Sequence, residues 1–165
     1  MGENVVFGVE DVLEGDGFPG RAGDGEVGEQ DACLTAWELR SELATAELDG
    51  EPLIDARPRH LFLGDPGVAN TGHIPGSRCL PHQELVDGAT GVWAPPDAVR
   101  RLVRDAGIDP DRPPRELIVT CGSGVSATVA LFSLERIGIH ADGVYDGSFN
   151  EWSAVRAPVE YGSAR

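Results

Sequence analysis

The stretch Glu116-Leu117-Ile118-Val119-Thr120-Cys121-Gly122-Ser123-Gly124-Val125-Ser126-Ala127 constrains the fold of this chain more than any other. A short apolar run ends on a cysteine, two glycines follow within three residues, and an apolar helical pattern then begins. Strand, tight loop and helix in that order aim backbone amides at a bound anion. Gly122 and Gly124 both permit positive φ, so successive N–H groups are expected to turn inward around the Cys121 sulfur. The helix opening near Val125 adds its positive end, and both effects favour thiolate over thiol. A lone cysteine at a strand end is by default a small buried hydrophobe. The glycine loop is what points instead to a nucleophile with an anionic product.

One class of cysteine enzyme is excluded by spacing. Phosphate-cleaving cysteine enzymes need Cys-x5-Arg, so that a guanidinium grips the phosphate at two points. Counted from Cys121, that place is held by Ala127.

The rest of the stretch from Thr35 onward alternates strand and helix patterns. Thr35-Ala36-Trp37-Glu38 has the capping-box pattern, with Leu39 and Leu43 at helical spacing behind it. Pro52-Leu53-Ile54-Asp55-Ala56 reads as a buried strand, and Arg78–Leu80 as a shorter one carrying Cys79 in the core. Between Pro95 and Gly107, Val99, Leu102, Val103 and Ala106 form one apolar stripe. Arg100, Arg101 and Arg104 lie off it as a solvated face, and Gly107 is placed to cap. After the Cys121 loop, Val125, Val129, Ala130, Leu131, Phe132, Leu134 and Ile137 predict a buried helix ended by Gly138. Gly143-Val144-Tyr145-Asp146 gives a last strand. Such alternation predicts an α/β fold, an open parallel sheet with helices on both faces and Cys121 at the carboxyl end of a strand.

Residues 1–33 differ in kind. Glu10, Asp11, Glu14, Asp16, Asp24, Glu26, Glu29 and Asp31 are interspersed with glycine, which predicts a flexible acidic arm with Cys33 as an incidental thiol at its edge. Residues 34–157 are read as the folded domain and 158–165 as a tail. The net charge of −15 argues against nucleic acid and anionic membranes as partners. All 13 basic residues are arginine, which removes any lysine Schiff-base chemistry. Three cysteines without a Cys-x-x-Cys pair, and no apolar leader, suggest a reducing cytoplasm. His60, His82 and His140 show no metal-ligand spacing.

Four motifs in order resemble those of the rhodanese-type sulfurtransferases. Asp55-Ala56-Arg57 resembles the Asp-x-Arg of those domains, and Gly72-His73-Ile74-Pro75-Gly76 their Gly-His-Ile-Pro-Gly. Cys121-Gly122-Ser123-Gly124-Val125-Ser126-Ala127 resembles the active loop of 3-mercaptopyruvate sulfurtransferases, with Ser126 where Thr is usual. Tyr145-Asp146-Gly147-Ser148-Phe149-Asn150-Glu151-Trp152 is similar to a segment of the catalytic half of the two-domain enzymes, Phe149 keeping an aromatic core role.

The resemblance implies a double displacement without metal or cofactor. The Cys121 thiolate takes a sulfur from 3-mercaptopyruvate or thiosulfate, and a thiol, thioredoxin or cyanide removes it. The amides of Gly122, Ser123, Gly124, Val125 and Ser126 would hold the persulfide, and Ser123 Oγ would bond the sulfur or relay a proton. His73 is expected to fix its loop with the Asp55 side as partner, a structural rather than catalytic role. The two-domain enzymes place substrate arginines where this chain has Leu61, and Asp65–Thr71 supplies none, so Arg57, Arg59 and Arg78 are the candidates. The domain that closes the site in those enzymes has no counterpart in these residues. A second chain, or a protein donor or acceptor, is therefore an expected partner. A persulfide carrier fed by such a protein and a non-catalytic binding module are the other two functions in view.

Overall fold

In the computed structural model of the chain the residues described are Cys33–Leu34, by their backbone, and 53–162. The acidic arm and the helix expected from Thr35 lie outside them. Leu53-Ile54-Asp55 and Ile118-Val119-Thr120 are the middle of the fold, as strands β2 (Leu53–Asp55) and β4 (Ile118–Thr120) paired in parallel. On the far side of β2 lies β3 (Arg78–Cys79); beyond β4 come β5 (Gly143–Tyr145) and then β1 (Cys33–Leu34). The order is β1-β5-β4-β2-β3, every pairing parallel. Cys33 is thus part of an edge strand, with its backbone in register with Val144, and not the end of an arm.

Side chains on a strand alternate between faces, so each strand feeds two cores. Ile54 and Val119 face one side, where they meet Leu85 of α2 (His82–Leu85), Val99 and Val103 of α3 (Pro96–Asp105), and Ala130 and Leu134 of α4 (Val125–Glu135). Leu53 and Tyr145 face the other, against Ile74 and the Phe149 and Trp152 of α5 (Ser148–Ala154). Sheet burial on both faces explains why Leu53-Ile54 and Ile118-Val119 are apolar at successive positions rather than alternating.

The ends of α3 follow its sequence. Pro96 occupies the first turn, where its missing N–H costs nothing, and Gly107 at φ 83° closes the other end. Two of its three arginines make structural contacts: Arg100 and Arg104 both pair with Asp111, and Arg100 also donates to the Ile137 carbonyl at 2.9 Å. In α4 the apolar pattern overstates burial at one end, since Val125 is 76% exposed.

Residues 158–162, read as a tail, are joined to the domain. His73 and Glu160 exchange both backbone bonds at 2.9 Å, and Gly162 N–H donates to the Leu63 carbonyl at 2.7 Å. Among the described residues no helix is long and apolar enough to cross a membrane.

Candidate active site

The sheet order reverses direction between β2 and β4, which opens a crevice at their carboxyl ends. Arg57 follows β2 there and Cys121 follows β4. The Cys121 loop turns directly into α4, whose first residue is Val125. Gly124 stands at φ 85°, and a Cβ at this position would lie 2.6 Å from Asp146 Oδ1 and 3.3 Å from the Asp146 carbonyl. Only glycine fits that approach. Gly122 differs from expectation: its φ is not in the left-handed region, and a Cβ there would meet only Arg57 Cδ at 4.0 Å.

Burial by itself pushes the Cys121 thiol up, and it is the largest single effect. Hydrogen bonds from the Ser126 hydroxyl, the Ser123 and Ala127 amides and the Ser148 hydroxyl together outweigh it and hold the thiol below its ordinary range. Of the expected loop donors, Ser123 reaches the sulfur through its backbone rather than its Oγ. The Gly124 N–H is not aimed at the sulfur but donates to Ser148 Oγ at 3.1 Å. Ala127 and Ser148 were not foreseen as ligands of the sulfur.

The loop is held from behind by the start of α5. Phe149 N–H donates to the Cys121 carbonyl at 3.0 Å and Asn150 N–H to the Gly122 carbonyl at 3.1 Å. In the opposite sense Cys121 N–H donates to Ser148 Oγ at 3.2 Å. Ser148 lies 27 residues from Cys121, and the parallel pairing of β4 with β5 brings the two together. The serine of the Tyr-Asp-Gly-Ser motif was the available signal.

Arg57 lies beside the Cys121 loop, its Cδ 4.0 Å from where a Cβ at Gly122 would stand. It is almost fully buried, pairs with the buried Asp55 through Nε and Nη2, donates to the Gly72 carbonyl at 2.6 Å, and stacks its guanidinium 3.7 Å from the Phe149 ring centre. It clamps β2, the Gly72–His73 loop and α5 to one another. Asp55 is therefore the partner of Arg57 and not of His73. His73 Nδ1 bonds the Phe62 carbonyl at 2.9 Å, its ring stacks on Phe62 with centres 3.9 Å apart, and Nε2 lies 3.7 Å from Glu160.

Arg78 stands on β3, two strands from β4, a separation of about 10 Å. Arg59 is the most open of the three candidate arginines, half exposed and paired at 3.1 Å with Glu84.

These features define a parallel α/β domain with a cysteine held in a cage of amides and hydroxyls at a strand's carboxyl end. The chain belongs to the rhodanese-like domain family, which matches residues 35–155. It is 35% identical over 164 residues to a protein of Pseudomonas aeruginosa named "Probable 3-mercaptopyruvate sulfurtransferase", covering 80% of this chain and 57% of that protein. It is 37% identical over 114 residues to the 3-mercaptopyruvate sulfurtransferase of Escherichia coli K12, covering 66% of this chain and 38% of that protein. Among solved structures, the Tum1 protein of Saccharomyces cerevisiae aligns with a TM-score of 0.63 at 26% identity, over 79% of this chain and 46% of that one. SseA from Escherichia coli, a 3-mercaptopyruvate sulfurtransferase, aligns at 0.56 and 28% identity, over 72% and 42%. The chain thus spans little more than half, or less, of the length of these relatives.

Proposed function

We propose that this domain is a sulfurtransferase that carries sulfane sulfur as a persulfide on Cys121. The observation that carries the reading is the balance at that residue: a thiol 1% exposed, yet held below its ordinary range by hydrogen bonds aimed at the sulfur. A buried structural cysteine has no use for such a cage. In the first half-reaction the thiolate attacks the outer sulfur of a donor such as 3-mercaptopyruvate or thiosulfate. The donor's C–S or S–S bond breaks, and pyruvate (as its enolate, then protonated) or sulfite leaves. In the second, a thiol, thioredoxin or cyanide attacks the outer persulfide sulfur and Cys121 leaves as thiolate.

The Ser123 and Ala127 amides and the Ser126 hydroxyl hold negative charge on the sulfur through both steps. Arg59 is the candidate to steer an anionic donor, because its side chain meets solvent while Arg57 is locked inside. Turnover tests the reading: purified protein with 3-mercaptopyruvate and a thiol should release pyruvate, and Cys121→Ser should release none. Equal release from the variant would end it. A second reading, a carrier loaded by a protein donor, is favoured by the arrangement of the arginines. Stoichiometric loading from a small donor with negligible turnover would select it.

A further inference from the structure

Two functional side chains leave the carboxyl edge of the sheet side by side. Cys121 follows the end of β4 at Thr120, and Asp146 follows the end of its parallel neighbour β5 at Tyr145. The Asp146 carboxylate packs against the sulfur loop, with Oδ1 2.6 Å from where a Cβ at Gly124 would stand. It is exposed, and among the described residues it has no hydrogen bond or ion pair. Two helices start beside it, α4 behind Gly124 and α5 behind Gly147, and it caps neither. Its contacts therefore give no structural reason for a charge there. On the opposite side of Cys121, beyond β2, stand Arg57, locked to Asp55, and Arg59, paired with Glu84. The charge that the β5 side offers an approaching molecule is negative.

A free carboxylate beside a sulfur that must become anionic is unfavourable by itself, because like charges repel. A reactant that brings a positive charge reverses the sign of that contribution. We propose that Asp146 is a specificity-determining residue: it selects a small aminothiol, with an ammonium group near its SH, as the acceptor of sulfur from Cys121. The inference rests on the reading of Cys121 as the sulfur carrier and names the acceptor class for it. The acceptor loses its thiol proton to solvent, and its thiolate attacks the outer sulfur of the persulfide. The S–S bond to Cys121 breaks, Cys121 leaves as thiolate, and the acceptor departs as its own persulfide. Its ammonium group faces Asp146 throughout. An anionic donor meets the Arg59 side instead, so the two half-reactions use opposite walls of the crevice.

Methanethiosulfonates read the charge at the sulfur directly: the Cys121 thiolate attacks the thiosulfonate sulfur and a sulfinate leaves. The full chain is reacted with the aminoethyl (cationic), sulfonatoethyl (anionic) and methyl (neutral) reagents. Cys121 is followed peptide by peptide, so that Cys33 and Cys79 do not interfere. Asp146→Asn should lower the cationic-to-anionic rate ratio about fivefold at low salt, the effect of removing one charge about 8 Å away in water, and leave the neutral rate within about twofold. The comparison variant is Asp105→Asn, which makes the same change in net charge at the end of α3 that returns to the amino edge of the sheet. Its ratio should stay that of the wild type. In a second arm, persulfide-loaded protein gives its sulfur to cysteamine or to 3-mercaptopropionate. The wild type should prefer cysteamine, and Asp146→Asn should shrink that preference by a similar factor.

An unchanged ratio in Asp146→Asn overturns the proposal, and so does an equal fall in Asp105→Asn. A slowing of the neutral reagent as large as that of the cationic one would make the role structural and overturn it too. A wild-type Cys121 that no reagent reaches, or a preference for 3-mercaptopropionate, has the same consequence. A wild-type protein that accepts no sulfur would defeat the proposed function, and the acceptor class with it. The reagent ratio needs no sulfur donor, so it would still decide whether Asp146 sets the charge at the sulfur.

Discussion

Cys121 and Cys79 are both buried thiols of one sheet, and their surroundings push them in opposite directions. Cys79 has burial as its main influence and is pushed up to about 11, with Arg59 only partly offsetting it. Cys121 has burial against it and four hydrogen bonds for it. The thiolate is the reactive form, so alkylation of Cys121 should reach half its maximal rate at a lower pH than an ordinary thiol does. Cys79 should stay unmodified to well above that in the folded protein. Mass spectrometry of alkylated peptides across pH checks both; equal reactivity of the two would contradict the geometry. Gly124 gives a second prediction at this scale. Gly124→Ala places a methyl against Asp146 at a backbone φ of 85° and should cost about 1–3 kcal/mol, seen in denaturant melts, with loss of Cys121 reactivity.

Elements are tied together by buried charge. Asp55 closes β2, and Arg57 leaves it to join the Gly72–His73 loop and α5. Removing one partner strands the other without water, so Arg57→Ala should lower stability by about 3–5 kcal/mol, measurable by denaturant unfolding. A loss below about 1 kcal/mol would place the guanidinium in solvent. The same element scale shows what the sequence made legible. Short apolar runs at Leu53-Ile54 and Leu117-Ile118-Val119 marked buried parallel strands, and the loop after Cys121 marked the crevice. Contacts set by tertiary placement were not legible. Ser148 meets Cys121 only because β4 pairs with β5, and His73 finds the Phe62 carbonyl through the α1 (Arg59–Leu63) turn. The two-residue strand at Cys33 is too short to stand out from its acidic flank. The two loop glycines looked alike in sequence, yet only Gly124 has a positive φ, because only it packs against Asp146.

Across the whole molecule, charge and donor chemistry meet. The net charge is −15, and half of the 28 acidic residues but only two of the 13 arginines fall in residues 1–52. An anionic donor approaches against that field, which salt screens over about 8 Å at physiological ionic strength. Loading from thiosulfate should therefore accelerate as salt rises from about 0.01 M to about 0.5 M. A rate that falls with salt would reveal a cationic entrance.

The central claim is that Cys121 carries sulfur, and intact-protein mass spectrometry tests it most directly. Wild-type protein and Cys121→Ser would each be incubated with 3-mercaptopyruvate and, separately, with thiosulfate. The account predicts a gain of one sulfur atom in the wild type with at least one donor, removed by reductant and absent from the variant. Sulfur that still loads on the variant would place the chemistry on Cys33 or Cys79 and contradict it.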